Sequence, residues 1–130
     1  MFEKEIYITV TGLNHYYNMK PFKIGSLVML EKEPDNEYDE NAVMVMAPLL
    51  GKVGYVSNTP YTTITGSRSA DQIYEQIPQE CAAVVCFMTD KSVIARLLPN
   101  KKLSVKIDTV LEDIKNDAYE PVTEDTVQIQ

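Results

Sequence analysis

A chain of 130 residues with 45% hydrophobic content and a net charge of −7 is long enough for one domain with one proper core. The negative balance argues against a broad, sequence-independent surface for wrapping DNA. No apolar run reaches the length that spans a bilayer, and Met1-Phe2-Glu3-Lys4-Glu5 lacks the basic and then apolar regions of a secretory signal, so the expectation is a cytoplasmic protein without a membrane partner.

Ile6, Ile8 and Val10 alternate with polar neighbours through Thr11 and predict a half-buried strand. Gly12 ends it, and a polar, aromatic loop runs to Pro21. Ile24 to Glu31 is a second strand, whose unbroken Leu27-Val28-Met29-Leu30 run implies cover on both faces. Pro34 stops pairing because it lacks an amide donor, and the stretch from Asp35 to Asn41 is too polar for a core. Ala42 to Met46 and Lys52 to Val56 read as antiparallel partners about a turn at Pro48 to Gly51.

Asn58-Thr59-Pro60 looks like a helix start with Gly66 as its stop. Ser69 to Gln72 offers a capping box for a second helix. Ala70, Ile73, Tyr74 and Ile77 would form its apolar face, and Pro78 would close it. Glu80 to Met88 is a strongly apolar strand, and Val93 to Leu98 is a short strand or hairpin arm. Leu103, Val105 and Ile107 alternate in a last strand. The expected fold is mostly β with two short helices: a small six-stranded antiparallel barrel of modified OB-like or SH3-like character. Such a barrel is too narrow for a ligand in its lumen, so binding falls to the outside and the loops.

Charge divides the chain. Residues 111–130 carry Glu112, Asp113, Asp117, Glu120, Glu124 and Asp125 against Lys115, leaving only −2 for the first 110 residues. The expected organisation is a barrel domain over 1–110 and an acidic, mobile tail over 111–130.

Little here supports catalysis. Cys81 and Cys86 lie five apart on one strand, so they point to opposite faces and share neither a metal nor an easy disulfide. A single histidine without a CxxC pair makes zinc improbable. Asp35, Glu37, Asp39 and Glu40 lack the glycine and terminal glutamate of a calcium loop. His15 has no nucleophile placed beside it by a known motif. The reading is a non-enzyme with no cofactor and no metal. Arg68, Arg96, Lys101, Lys102 and Lys106 read as surface charge, with Lys102 and Lys106 sharing a strand face.

Three segments stand out: Gly12-Leu13-Asn14-His15-Tyr16-Tyr17, the acidic run from Glu33 to Val43, and Gly51-Lys52-Val53-Gly54-Tyr55-Val56. Exposed rings beside amides and carboxylates suit the end of an unpaired nucleic-acid strand. Tyr16 and Tyr17 either stack on bases or plug the barrel end. Asp39 either bonds its own turn or accepts from a sugar hydroxyl. A carboxylate is a poor neighbour for phosphate, so the second role selects a hydroxyl terminus.

These segments resemble the HIRAN domain family. Its pattern combines a glycine, a basic residue and two tyrosines with an acidic-Pro-x-Asn-x-Tyr-Asp-x-Asn-Ala loop and a Val-Gly-aromatic strand. Here it reads as Gly12, His15-Tyr16-Tyr17, Glu33 to Val43 and Val53-Gly54-Tyr55. The resemblance covers about residues 5 to 108 and implies a modified OB-like barrel that captures a free 3′-hydroxyl end of single-stranded DNA. It implies that Tyr16 and Tyr17 stack on the terminal bases, that Tyr38 and Asp39 line the pocket with Asp39 accepting from the sugar hydroxyl, and that Asn36 helps hold the end. Tyr55 stands where the family often has a histidine. His15 replaces an arginine and Asn58 a lysine, which removes two phosphate-facing charges. With the overall acidity, this leaves an alternative: a protein-interaction module using the same loop surface.

Overall fold

The computed structural model describes residues 5–100. Six strands form: β1 Tyr7–Thr11, β2 Leu27–Lys32, β3 Val43–Ala47, β4 Gly51–Val56, β5 Glu80–Met88 and β6 Val93–Leu98. They pair antiparallel in the order β1-β4-β3-β2-β5-β6, and β6 closes onto β1. Period-two alternation sends one set of side chains inward. Ile8, Val10, Val28, Leu30, Val43, Val45, Val85 and Val93 are fully buried in the resulting core. Closure removes free sheet edges, so recognition falls to the outer faces and the loops.

Leu13 and Phe22, both from the loop after β1, are buried against this core. A single helical turn, α1 Ala70–Ile73, adds Ala70 and Ile73, and a 3₁₀ turn Tyr74–Gln76 follows it. The capping box is in place: Ser69 N–H donates to Gln72 Oε1 at 2.9 Å.

Two predicted elements differ. Residues 59–66 form no helix, so the barrel has one short helix instead of two. Isolated turns close there instead, with the N–H groups of Thr62 and Thr63 donating to Thr59 O at 3.3 and 3.1 Å. Ser57, Thr59, Thr62 and Thr63 bond one another and the local backbone through their hydroxyls, offering the chain an alternative to helix. β2 begins at Leu27, not at Ile24, because Gly25 takes a φ of 91° and Ser26 Oγ bonds back to Lys23 O at 2.7 Å. The expected strand 103–107 and the acidic stretch 111–130 lie outside the described residues.

Two bulges shape the outer surface. Between β3 and β4 the register passes from Val45↔Gly54 to Met46↔Lys52, skipping Val53. Between β5 and β6 it passes from Val85↔Ala95 to Phe87↔Ile94, skipping Cys86. Cys81 is buried and Cys86 half-buried, both as free thiols. Burial pushes the Cys81 thiol up to about 11.

Candidate nucleic-acid interface

The bulge on β4 builds the first part of the site. In an unbroken strand, residues 52 and 55 would face opposite sides. Because Val53 is an extra residue and turns into the core, Lys52 and Tyr55 reach each other. Lys52 Nζ donates to Tyr55 Oη at 2.7 Å and sits 4.9 Å from the centre of its ring. Tyr55 Oη donates in turn to Glu33 Oε1 at 2.7 Å, and Lys52 Nζ lies 3.2 Å from Glu33 Oε2. Gly54 makes the bend fit, since a Cβ there would stand 2.8 Å from Val10 Cγ1 and 2.9 Å from the Thr11 carbonyl oxygen.

The Glu33 carboxyl responds to this setting. Partial burial opposes its ionisation, but hydrogen bonds from Tyr55, Asn36 and Lys52, with the Lys52 charge, outweigh that and hold it below the ordinary glutamate range. Lys52 is raised, first by its bond to Tyr55 against partial burial, then by Glu33. Burial raises the Tyr55 phenol, with Lys52 opposing and Glu33 adding to the shift.

The polar loop is tied at both ends. Glu33 N–H donates to Ala42 O at 2.8 Å and closes its base. Asn36 Nδ2 donates to Glu33 Oε1 at 3.0 Å, while Asn36 Oδ1 accepts from the N–H groups of Tyr38 at 2.8 Å and Asp39 at 3.0 Å. Asp39 Oδ1 accepts from Asn41 N–H at 2.9 Å, and Asp39 Oδ2 accepts from Asn58 Nδ2 at 2.7 Å. Asn58 then fastens the loop to α1: its Oδ1 accepts from Asp71 N–H at 2.8 Å. Asp71 Oδ1 also takes Asn41 Nδ2 at 2.8 Å. Tyr38 stands at the tip with its side chain 90% exposed.

A cleft of about 570 Å³ opens beside Tyr38, lined by Asn36, Tyr38, Tyr55 and Gln79, the carboxylates Glu31, Glu33, Asp35 and Glu37, and Lys32 and Lys52. The negative side chains thus outnumber the positive ones. Asp39 and Asn58, joined to each other, do not line this cleft. His15 ends the 3₁₀ turn Leu13–His15 that follows β1. Tyr16 and Tyr17 come next, 36% and 43% exposed, and line neither this cleft nor a second one of about 600 Å³ beneath Gly12, Asn14, Asn18 and Tyr61. Thr11 pairs with Tyr55, so this turn leaves the sheet beside the Tyr55 cluster.

Residues 4–60 match the family model of the HIRAN domain. That match spans 57 of the chain's 130 residues. It contains the strands β1 to β4, the paired tyrosines and the whole polar loop. The HIRAN domain of human HLTF has a similar fold, with a TM-score of 0.52 at 20% identity over 72% of each chain. A protein from Lactobacillus plantarum is similar at a TM-score of 0.50 and 21% identity, covering 72% of this chain and 93% of its own. No curated protein matches the sequence.

Within the matched segment, the Val-Gly-aromatic motif has a physical meaning: Val53 is the bulge, Gly54 makes room for Val10, and Tyr55 meets Glu33. Three participants escaped the residue-by-residue reading. Glu33, Lys52 and Asp71 carry the network that holds the loop. Glu33 was visible as the acid before Pro34, but Asp71 is distant in sequence and only the fold brings it to Asn41 and Asn58. Among the described residues, no group of three His, Cys, Asp or Glu side chains could hold a metal ion, and no helix is long and apolar enough to cross a membrane.

Proposed function

We propose that this chain is a nucleic-acid-binding module without catalytic chemistry, and that it holds the end of a single DNA strand with a free 3′-hydroxyl. The HIRAN match supports the general reading, since domains of this family are nucleic-acid-binding modules. The observation that carries the finer reading is Tyr38. Its ring gains almost no burial from folding, yet hydrogen bonds on both sides fix the loop that presents it. Such pre-ordering spares a ligand the entropy of arranging its own binding surface. Stacking of one base on an aromatic ring contributes roughly 1–3 kcal/mol.

The chemistry of the cleft suits a hydroxyl better than a phosphate. Its four carboxylates repel a terminal phosphate and can accept from a sugar hydroxyl. Asp39 follows Tyr38 in the loop, and each of its oxygens, though already accepting one bond, retains a further lone pair. Asn36 fixes the backbone of Tyr38 and Asp39 in this reading, so its role in holding the end is indirect. Tyr55 positions Glu33 and Lys52 through its hydroxyl. His15, Tyr16 and Tyr17 would meet the strand further from its end. Few cations face the cleft, so affinity for internal phosphates is low there and salt dependence shallow.

The excess of carboxylates over lysines also favours a second reading, in which the same surface takes a basic protein segment. Tyr38→Ala separates the alternatives. Under the first reading it weakens binding of a short linear oligonucleotide at least about fivefold, the loss of a single stacked base. An oligonucleotide bound equally by both forms would remove Tyr38 from the site. A lysine-rich peptide bound only by the unaltered protein, with no oligonucleotide binding, would establish the second reading.

A further inference from the structure

Of the chain's two arginines, Arg68 and Arg96, Arg96 shares a face with Tyr7. Arg96 on β6 is the cross-strand partner of Tyr7 on β1, so the two side chains share the outer face. Arg68 meets β1 through its backbone, its N–H donating to the Tyr7 carbonyl at 2.7 Å, and its register partner is Ile8. Neither arginine forms an ion pair among the described residues. The Tyr7 ring lies 6.4 Å from that of Phe87, centre to centre, with the planes tilted by 48°. Phe87 follows directly on the Cys86 bulge and is 57% exposed. A small cleft of about 250 Å³ adjoins the two rings, floored by Ile64, Gly66 and Ile94. Glu5 accepts from Tyr7 Oη at 3.0 Å.

We propose that this outer face of β1, β5 and β6 is a second nucleic-acid contact, for the interior of a single strand. Bases stack on Phe87 and Tyr7, and Arg96 pairs with the phosphates. An exposed phenylalanine next to a tyrosine gives a sequence-tolerant stacking surface. A guanidinium supplies the planar, two-pronged donor that phosphate accepts. On a chain of net charge −7, an arginine beside this pair of rings, with no ion pair among the described residues, argues for an anionic, planar ligand over an apolar protein surface. The face is separate from the Tyr38 loop and needs no strand end, so it stands whether or not that loop captures one.

The probe is a small, covalently closed circle of single-stranded polythymidine, which has no terminus, titrated against the full chain at low salt by fluorescence anisotropy. The unaltered protein should bind it. Phe87→Ser and Arg96→Ser should each weaken binding at least about fivefold, while Phe87→Trp, which keeps the stacking surface, retains it. Circular dichroism confirms that each variant is folded. No binding of the circle by the unaltered protein, or equal binding by all forms, would overturn the proposal without touching end recognition, which linear strands report. Self-association that Phe87→Ser abolishes, with no binding of the circle, would assign the face to a protein contact and overturn it as well.

Discussion

Asn58 and Asp39, nineteen residues apart, hold each other directly: Asn58 Nδ2 donates to Asp39 Oδ2 at 2.7 Å. The same amide reaches Asp71 Oδ1 at 3.2 Å, so a neutral side chain sits between two carboxylates and satisfies both. Asn58 is the position where the family pattern has a lysine. Here its place among carboxylates makes it a tie between the loop and α1.

That tie should be measurable as stability. Asn58→Ala removes a donor shared by two carboxylates and the acceptor for Asp71 N–H. We expect a loss of about 1–2 kcal/mol in urea unfolding, together with weaker oligonucleotide binding as the Tyr38 loop loses its anchor. Unchanged stability would mean that water replaces Asn58 at no cost.

Gly54 tests the bulge. A Cβ there meets Val10 Cγ1 at 2.8 Å, the Thr11 carbonyl oxygen at 2.9 Å and Leu13 Cδ2 at 3.1 Å. The backbone oxygen cannot rotate away, so Gly54→Ala must shift β1 against β4. The expected loss is roughly 1–3 kcal/mol, read as a lower Tm. A variant with unaltered Tm would show that the strands separate freely at this point.

How far the sequence disclosed this molecule depended on which interactions set each element. β5 and β6 were legible to the residue, because long apolar strands obey the simple two-residue period. The capping box at Ser69 and Gln72 was legible for the same local reason. The helix expected after Asn58 failed because Thr59, Thr62 and Thr63 bond their own turn, a competition that a proline and a glycine at suitable spacing do not reveal. The site was legible in part. Tyr38 and Asp39 were visible as a motif, and the alternative of Asp39 bonding its own backbone is realised at Asn41. The Lys52–Tyr55–Glu33 cluster was hidden, because a one-residue bulge reverses the face that spacing assigns.

Acid should weaken the fold through Glu33. Its carboxyl is held below the ordinary glutamate value in the folded chain. Its contribution is therefore complete above the unfolded value of about 4.3 and disappears as pH falls through the lower folded value. The urea midpoint should stay level from about pH 7 to 5 and decline below about pH 4. Glu33→Gln should start lower and show a shallower decline. An equally steep decline in that variant would assign the acid sensitivity to other carboxylates.

If the bound strand passes residue 15 as proposed, a charge added there should raise the affinity. His15 is exposed at the end of a 3₁₀ turn, so His15→Arg should leave Tm unchanged. A guanidinium there restores the phosphate-facing cation of the family pattern. Affinity for a single-stranded oligonucleotide should rise severalfold, and the slope of log K against log salt should steepen by about 0.7, one added contact to a single strand. No change in slope would place residue 15 away from the bound strand.

The most direct measurement is the affinity of the full chain for two oligonucleotides of one sequence, one ending in a 3′-hydroxyl and the other in a 3′-phosphate. End capture beside the carboxylate-lined cleft predicts at least about tenfold tighter binding of the hydroxyl form, a difference near 1.4 kcal/mol. Asp39→Asn, which removes the charge while keeping the shape, should narrow that ratio. Equal affinity for the two termini, or no binding of either, would contradict end recognition by this loop.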